Sequence, residues 1–146
     1  MSTPAFVAVL NYAVVPYTMQ TQRSKHGNPR AKRYNDQQVE MQDELMKWAL
    51  LQKDVKYPIS SPVTIDFIAY YKTRHKRDMT NVRKAVEDAL VGAGIIEDDN
   101  ANIVVGSNMN RVFLGMAHDV VYVHVNNYAG FADAEFDFIL NTKGLP

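Results

Sequence analysis

The sequence comprises 146 residues, 47% of them hydrophobic and 22% charged, which is typical of one globular domain and not of a disordered chain. The absence of cysteine excludes a disulfide scaffold and any thiolate metal site, and the net charge of zero, taken alone, argues against a nucleic-acid partner. No apolar run approaches the roughly 20 residues of a membrane span and the N-terminus lacks a signal-peptide pattern, so we expect a cytoplasmic protein without a membrane partner.

The first predicted element is a strand over Ala5–Val15, a short apolar segment with many β-branched residues. Residues 16–34 have no hydrophobic period and predict a long loop. A helix is predicted over Asp36–Lys53, with Asn35 as its N-cap. A further strand over Val63–Tyr71 places its alternate apolar residues on one face.

A second helix is predicted over Met79–Val91, because apolar residues recur at helical spacing and glycines follow. Three short strands are predicted over residues 103–105, 111–114 and 120–125. The sequence has no repeat and no internal linker. This order of elements predicts a single α+β domain over residues 1–146, with one small mixed sheet and two main helices.

Charge is segregated along the chain although its total is zero. Basic stretches without any acidic residue extend from Arg23 to Arg33 and from Lys72 to Arg77, and acidic residues cluster between Glu87 and Asp99. Such segregation suits a surface that attracts phosphate beside a site that holds a cation. The alternative is that these segments are solvated loops of different sign.

Aromatic residues flank both basic stretches, at Tyr34, Tyr70 and Tyr71. Side chains of this type stack on unpaired bases. Because neighbouring strand residues point to opposite faces, core packing is the expected role for at least one of Tyr70 and Tyr71.

Three aspartates could gather near the second helix. Asp78 directly precedes this helix, and Asp98 and Asp99 follow it after a glycine-containing turn. Carboxylate oxygens are hard ligands that suit Mg²⁺, which usually takes one or two carboxylates and keeps several waters. The alternatives are that Asp78 only caps the helix and that residues 97–100 form only a polar turn.

Lys84 is a candidate for charge stabilisation. It shares one polar helix face with Asn81 and Asp88, so it would reach a phosphate held near Asp78. The alternative is a surface ion pair between Lys84 and Asp88, four residues apart.

Residues 74–104, with the sequence RHKRDMTNVRKAVEDALVGAGIIEDDNANIV, carry a resemblance to a known family. The basic stretch, the Asp-x-x-Asn segment, the lysine, the Asp-Ala-Leu segment and the Asp-Asp pair resemble the core motif of the RusA Holliday-junction resolvases. These are small Mg²⁺-dependent endonucleases of phages and prophages, which act in DNA recombination and repair. Residues 129–146 have no counterpart and form a C-terminal extension of unknown role.

The resemblance implies a role for each matching residue. Asp78, Lys84 and Asp99 would be catalytic, and Asp78, Asp98 and Asp99 would bind Mg²⁺, for which Mn²⁺ would substitute. Backbone phosphates of DNA would be contacted by six basic side chains, those of Arg30, Lys32, Arg33, Arg74, Lys76 and Arg77.

The resemblance also implies an assembly and a substrate. The expected fold is a homodimer in which one sheet continues across the subunits, and a two-fold dimer presents two identical sites. Such a dimer would resolve four-way DNA junctions by symmetric paired nicks, in the host cytoplasm if the protein is encoded by a phage.

Thr80 departs from the family motif, which has a second aspartate at this position. A threonine hydroxyl would bind the cation or one of its waters, or cap the helix, and Asp88 or Glu97 would be candidates to complete the site. The alternative function is a branched or single-stranded DNA-binding protein with little or no turnover. A more distant alternative is a small dimeric structural protein whose acidic cluster is only a turn.

Overall fold

A computed structural model describes residues 4–17, 29–130 and 133–143. Over these ranges it contains five strands and three helices, in an order that confirms the predicted α+β class. In chain order the elements are β1 (Phe6–Leu10), α1 (Pro29–Leu51), β2 (Val63–Tyr70), α2 (Met79–Gly92), β3 (Val104–Gly106), β4 (Asn110–Phe113), β5 (Val120–Asn127) and α3 (Asp133–Lys143).

The sheet is mixed and has β2 near its centre. Its strand order is β1-β5-β2-β3, and β4 also pairs with β2. Strand β5 is antiparallel to both β1 and β2, whereas β3 and β4 run parallel to β2 along successive parts of its length. Two long pairings therefore fix β2 and β5, and the segment that follows β2 leads directly into α2.

Alternation along β2 produces the core, as the sequence predicts. The side chains of Val63, Ile65, Phe67, Ala69 and Tyr71 are all buried, and the apolar stripe of α2 packs into the same cluster. Burial of this apolar surface is the main favourable contribution to folding. Among the helices of the described residues, none has both the length and the apolar character needed to cross a membrane.

Helix α1 begins earlier than the sequence predicts, at Pro29 and not at Asp36. Proline suits the first turn of a helix because the N–H that it lacks would have no partner there. Ala31 and Tyr34 are buried and begin the stripe that Met41 continues. The prediction was wrong because charged residues between these apolar positions hide their helical spacing. Arg30, Lys32 and Arg33 consequently lie on a helix and not in a loop; Arg23 to Asn28 lie outside the described residues.

Strand β1 is shorter than predicted and ends at Leu10. Beyond it, the side chain of Gln37 on α1 accepts a hydrogen bond from the Val15 N–H (2.7 Å) and donates one to the Ala13 carbonyl (2.8 Å). These bonds satisfy backbone groups that would otherwise need a neighbouring strand. The chain therefore leaves the sheet and runs along α1.

A second glutamine contacts the backbone of β1. Gln52, which follows α1, accepts a hydrogen bond from the Val7 N–H (2.9 Å) and donates one to the Val7 carbonyl (2.8 Å). It also donates to the Trp48 carbonyl (2.9 Å), so the end of α1 is joined to β1.

Candidate active site

The N-terminus of α2 is capped by Asp78. Its backbone is extended, and its Oδ1 accepts a hydrogen bond from the Thr80 N–H (2.9 Å). This bond satisfies one of the N–H groups that a helix leaves unpaired in its first turn. Among the described residues, the second carboxylate oxygen has no hydrogen-bond partner, and the side chain is exposed. The capping role is therefore real, and one oxygen remains open to a ligand.

Lys84 is bonded to two carboxylates. Its Nζ donates to Asp88 Oδ1 (2.9 Å) on the same helix and to Asp99 Oδ2 (2.9 Å) in the loop after α2. These hydrogen bonds raise the pKa of Lys84 above its ordinary value, and the bond from Lys84 lowers the pKa of Asp99. Both groups are ionised at neutral pH, and the lysine lies beside a carboxylate that the sequence analysis places in the site.

Lys84 forms the predicted surface ion pair and also contacts a predicted catalytic carboxylate. The pair with Asp88 exists, as the structural alternative requires, but the same ammonium also joins Asp99, fifteen positions further along the chain. A surface pair within one helix would not make the second contact. The Lys84–Asp99 contact therefore brings two of the three expected catalytic residues together.

Asp98 is engaged in its own turn. Its Oδ1 accepts from the Asp99 N–H (2.7 Å) and its Oδ2 from Asn100 Nδ2 (2.9 Å). Asn100 in turn accepts from the Asn102 N–H (2.9 Å). The polar-turn interpretation thus holds for Asp98, whose hydrogen bonds orient the backbone that carries Asp99.

Asp78 and Asp99 carry carboxylates of the kind that a hard divalent cation prefers, on side chains that are partly or fully exposed. Within residues 4–17, 29–130 and 133–143, however, no group of three or more histidine, aspartate and glutamate side chains is close enough to hold a metal ion. The structure does not gather Asp78, Asp98 and Asp99 into such a group. Their metal-binding roles stay predictions.

Three of the predicted DNA-binding side chains line one open cavity of about 800 Å³. Arg33 enters it from α1, and Lys76 and Arg77 enter from the loop before α2, together with His75. The cavity also contains two carboxylates, those of Asp36 and Glu40, and the backbone of residues 13–16. Because Arg77 immediately precedes Asp78, this cavity adjoins the N-terminus of α2.

Arg77 is held in a defined orientation. Its guanidinium lies over the Tyr71 ring, 3.8 Å from the ring centroid. It also donates to Thr73 Oγ1 (2.9 Å) and to the His75 carbonyl (2.8 Å). These contacts fix a positive charge at the cavity wall and reduce the entropy lost when it binds an anion.

Lys32 and Arg74, two other predicted DNA-binding residues, are not among the side chains that line this cavity. Lys32 forms an exposed ion pair with Asp36 (3.1 Å). The Arg74 guanidinium lies over Gly115, where an added Cβ would come within 2.8 Å of it and the guanidinium would have to move. Arg30 is on α1, and its side chain is outside the described part of the structure.

The aromatic residues near the basic stretches have different roles from each other. Tyr71 is buried in the core, as expected for at least one of the pair, and Tyr70 lies on the opposite face against Phe113 and Tyr122. Tyr34 is buried and donates to Asp88 Oδ2 (2.7 Å). Sequence reasoning missed this contact because it joins residues on two helices, and it treated Tyr34 as part of a loop.

The fold and the site define a small α+β protein in which α2 begins beside a cavity lined by basic side chains and carries a lysine bonded to two carboxylates. The family model described as Endodeoxyribonuclease RusA matches residues 14–122, and the chain therefore belongs to the RusA family. The RusA family is one of endodeoxyribonucleases that resolve Holliday junctions, so the resemblance carried by residues 74–104 is confirmed. No individual curated protein matches the chain. Helix α3 lies beyond the matched residues.

Proposed function

We propose that this chain is a Mg²⁺-dependent endonuclease that resolves four-way DNA junctions by symmetric paired nicks, acting as a homodimer. The observation that carries the proposal is the contact between Lys84 and Asp99 within the matched family region, formed by a lysine on the helix that begins beside the basic cavity. The net charge of zero does not oppose it, because the three basic side chains of the cavity outnumber its two carboxylates and leave a local excess of positive charge.

The basic cavity would position the DNA strand. Arg33, Lys76 and Arg77 would bind backbone phosphates, which fixes the register of the substrate without reading its sequence. Arg77 is already held by Tyr71 and Thr73, so it offers a charge of fixed position. Binding that depends on phosphate contacts weakens as salt increases.

Asp78 and Asp99 would hold the cation, with Asp98 orienting the loop. When bound, a divalent cation supplies Lewis acidity at the phosphate and lowers the pKa of an attacking water. Lys84 would stabilise negative charge that develops on the phosphate, because its ammonium is already directed towards Asp99. The hydrogen bond that Asp78 accepts uses one oxygen and leaves the other available.

A second candidate function is a branched-DNA-binding protein with little or no turnover. Two observations favour it: Thr80 replaces a carboxylate of the family motif, and the described residues contain no group of three potential metal ligands. Its basic cavity would be retained, so junction binding and junction cleavage separate the two functions.

A synthetic four-way junction tests both. The resolvase should produce paired nicks with Mg²⁺ or Mn²⁺, should leave a linear duplex of the same sequence intact, and should lose cleavage in Asp99→Asn. Asp43→Asn, which neutralises an exposed carboxylate on α1, is the matched control and should cleave normally. Tight, salt-sensitive binding without cutting would support the second function, and equal affinity for junction and duplex would contradict both.

The dimer has its own test. Light scattering at the concentration used for cleavage should give twice the monomer mass, and the two nicks on one junction should appear together. A monomer that makes single, uncoupled nicks would contradict the proposed assembly but not the nuclease chemistry.

A further inference from the structure

A continuous set of three hydrogen bonds joins α1 to the loop after α2. The Tyr34 hydroxyl donates to Asp88 Oδ2 (2.7 Å), and Lys84 Nζ donates to Asp88 Oδ1 (2.9 Å) and to Asp99 Oδ2 (2.9 Å). Both oxygens of Asp88 are therefore engaged, one by each neighbour. The set ends at Asp99, which the proposed function places at the cation.

The set of hydrogen bonds is buried at Tyr34 and partly exposed at Lys84 and Asp99. Tyr34 is only 6% exposed, and its ring packs edge-to-face on Tyr17 with the centroids 5.8 Å apart. The side chains of Lys84 and Asp99 are 41% and 31% exposed. One turn after Tyr34, the buried Gln38 donates to the Ala85 carbonyl (2.9 Å), so α1 is bonded to α2 at two successive turns.

The bond to Asp88 restricts the conformations of the Lys84 side chain. A lysine side chain has many rotamers in solvent, and its ordering is costly. If a cation takes Asp99, Lys84 loses one of its two partners, because two positive charges would compete for the same carboxylate. Asp88 would then be the remaining partner that keeps the ammonium near the substrate.

We propose that Asp88 and Tyr34 are positioning residues of this nuclease: Asp88 holds the Lys84 ammonium towards the scissile phosphate, and the Tyr34 hydroxyl fixes the Asp88 carboxylate. The inference rests on the proposed function for the reaction itself. Burial and the neighbouring Asp88 raise the pKa of Tyr34, so the hydroxyl stays protonated and remains a donor. Because the hydroxyl is neutral, it orients the Asp88 carboxylate without replacing the positive charge of Lys84 as its ion-pair partner.

The test removes one hydroxyl group. Tyr34→Phe keeps the ring and its contact with Tyr17 but deletes the bond to Asp88. Tyr57→Phe is the matched control, because Tyr57 also has an edge-to-face aromatic partner and its hydroxyl donates to the Gln52 carbonyl (3.0 Å), outside the site. Asp88→Asn is a second variant that retains the side-chain size and removes the charge.

Two readouts are expected to change together. The order parameter of the Lys84 ammonium, measured by ¹⁵N relaxation in an Asp99→Ala background without metal or DNA, so that Asp88 is the remaining partner, should fall in Tyr34→Phe and Asp88→Asn and stay unchanged in Tyr57→Phe. The single-turnover rate of junction cleavage should fall roughly tenfold in Tyr34→Phe, the effect typical of losing a hydrogen bond to a charged group. The dissociation constant for the junction should not change, since neither residue lines the basic cavity.

The outcomes distinguish this inference from the proposed function. If the wild-type protein does not cut junctions, the proposed function fails, whereas a mobile Lys84 in Tyr34→Phe would still support the positioning contact. An equally ordered Lys84 in the Asp99→Ala protein with and without either substitution would overturn the inference whether or not cleavage occurs. A loosened Lys84 with an unchanged cleavage rate would overturn it as well, because the contact would then serve only to join α1 to α2.

Discussion

Asp78 has two separable roles, and substitutions at this one position can measure each of them. It caps α2 through a 2.9 Å bond to the Thr80 N–H, and it is a proposed cation ligand. Asparagine caps helices about as well as aspartate, whereas alanine at an N-cap costs about 1 kcal/mol, within a range of about 0.5–2 kcal/mol. Asp78→Asn should therefore preserve the cap, and Asp78→Ala should lose it.

The magnitudes follow from the exposed position of Asp78. Because the residue is exposed, its removal opens no cavity, and the loss is limited to the hydrogen bond and the favourable charge at the helix N-terminus. The charge contributes about 0.3–1 kcal/mol. We expect Asp78→Asn to lower the free energy of unfolding by about 0.5 kcal/mol and Asp78→Ala by about 1.5 kcal/mol. In a chain of this size, 1 kcal/mol corresponds to a Tm change of about 2–4 °C.

The assay pairs urea unfolding, followed by far-UV circular dichroism, with Mg²⁺-dependent cleavage of a four-way junction. Both variants should lose cleavage, although only Asp78→Ala should lose appreciable stability. If Asp78→Asn cleaved as fast as the wild type, Asp78 would be a cap and not a ligand. If the two variants were equally stable, the capping bond would contribute nothing measurable.

Three further substitutions test the rest of the site. Thr80→Asp restores the carboxylate of the family motif. It should retain the fold by circular dichroism and preserve or raise Mg²⁺-dependent cleavage. Loss of both metal binding and cleavage would refute the assignment of Thr80 to the aspartate position of the motif. Lys84→Met removes the ammonium bonded to Asp99. It should abolish cleavage and tighten Mn²⁺ binding measured by calorimetry. Weaker Mn²⁺ binding would contradict competition between the Lys84 ammonium and the metal ion for Asp99. Lys76→Gln should weaken junction binding at all sequences and reduce the slope of log affinity against log salt by about 1. The matched control Lys47→Gln, at a residue that does not line the cavity, should change neither.

Sequence patterns predicted the parts of the fold that depend on local periodicity. The alternation along Val63–Tyr70 and the helical spacing over Met79–Gly92 were sufficient, because each element buries one face and the apolar residues mark it. The start of α1 was missed at Pro29, since Ala31 and Tyr34 are separated by charged residues that resemble a basic loop.

The site was predictable only as far as the motif extends. Asp78 and Lys84 could be predicted as site residues from their positions at the start of α2 and on its polar face. The capping role of Asp78 was among the predicted alternatives. The contact between Tyr34 and Asp88 joins residues that are 54 positions apart, and no local pattern reports such a contact. A correct start for α1 would have placed Tyr34 four residues before Gln38 on the same helix, and so on the face that meets α2.

The bond pattern around Gln52 restricts how two subunits can share a sheet. The unpaired N–H and carbonyl groups of an edge strand can pair with a strand of another chain, and proteins block such edges to avoid unwanted association. At Val7 the N–H and carbonyl groups of β1 are both occupied by Gln52, so a second chain could add a strand beside β1 only by displacing this side chain. The opposite edge consists of the short strands β3 and β4. A sheet continued across subunits would therefore be expected to grow from the β3–β4 side, and Gln52→Ala would leave the Val7 backbone groups open to pairing with a strand of another chain.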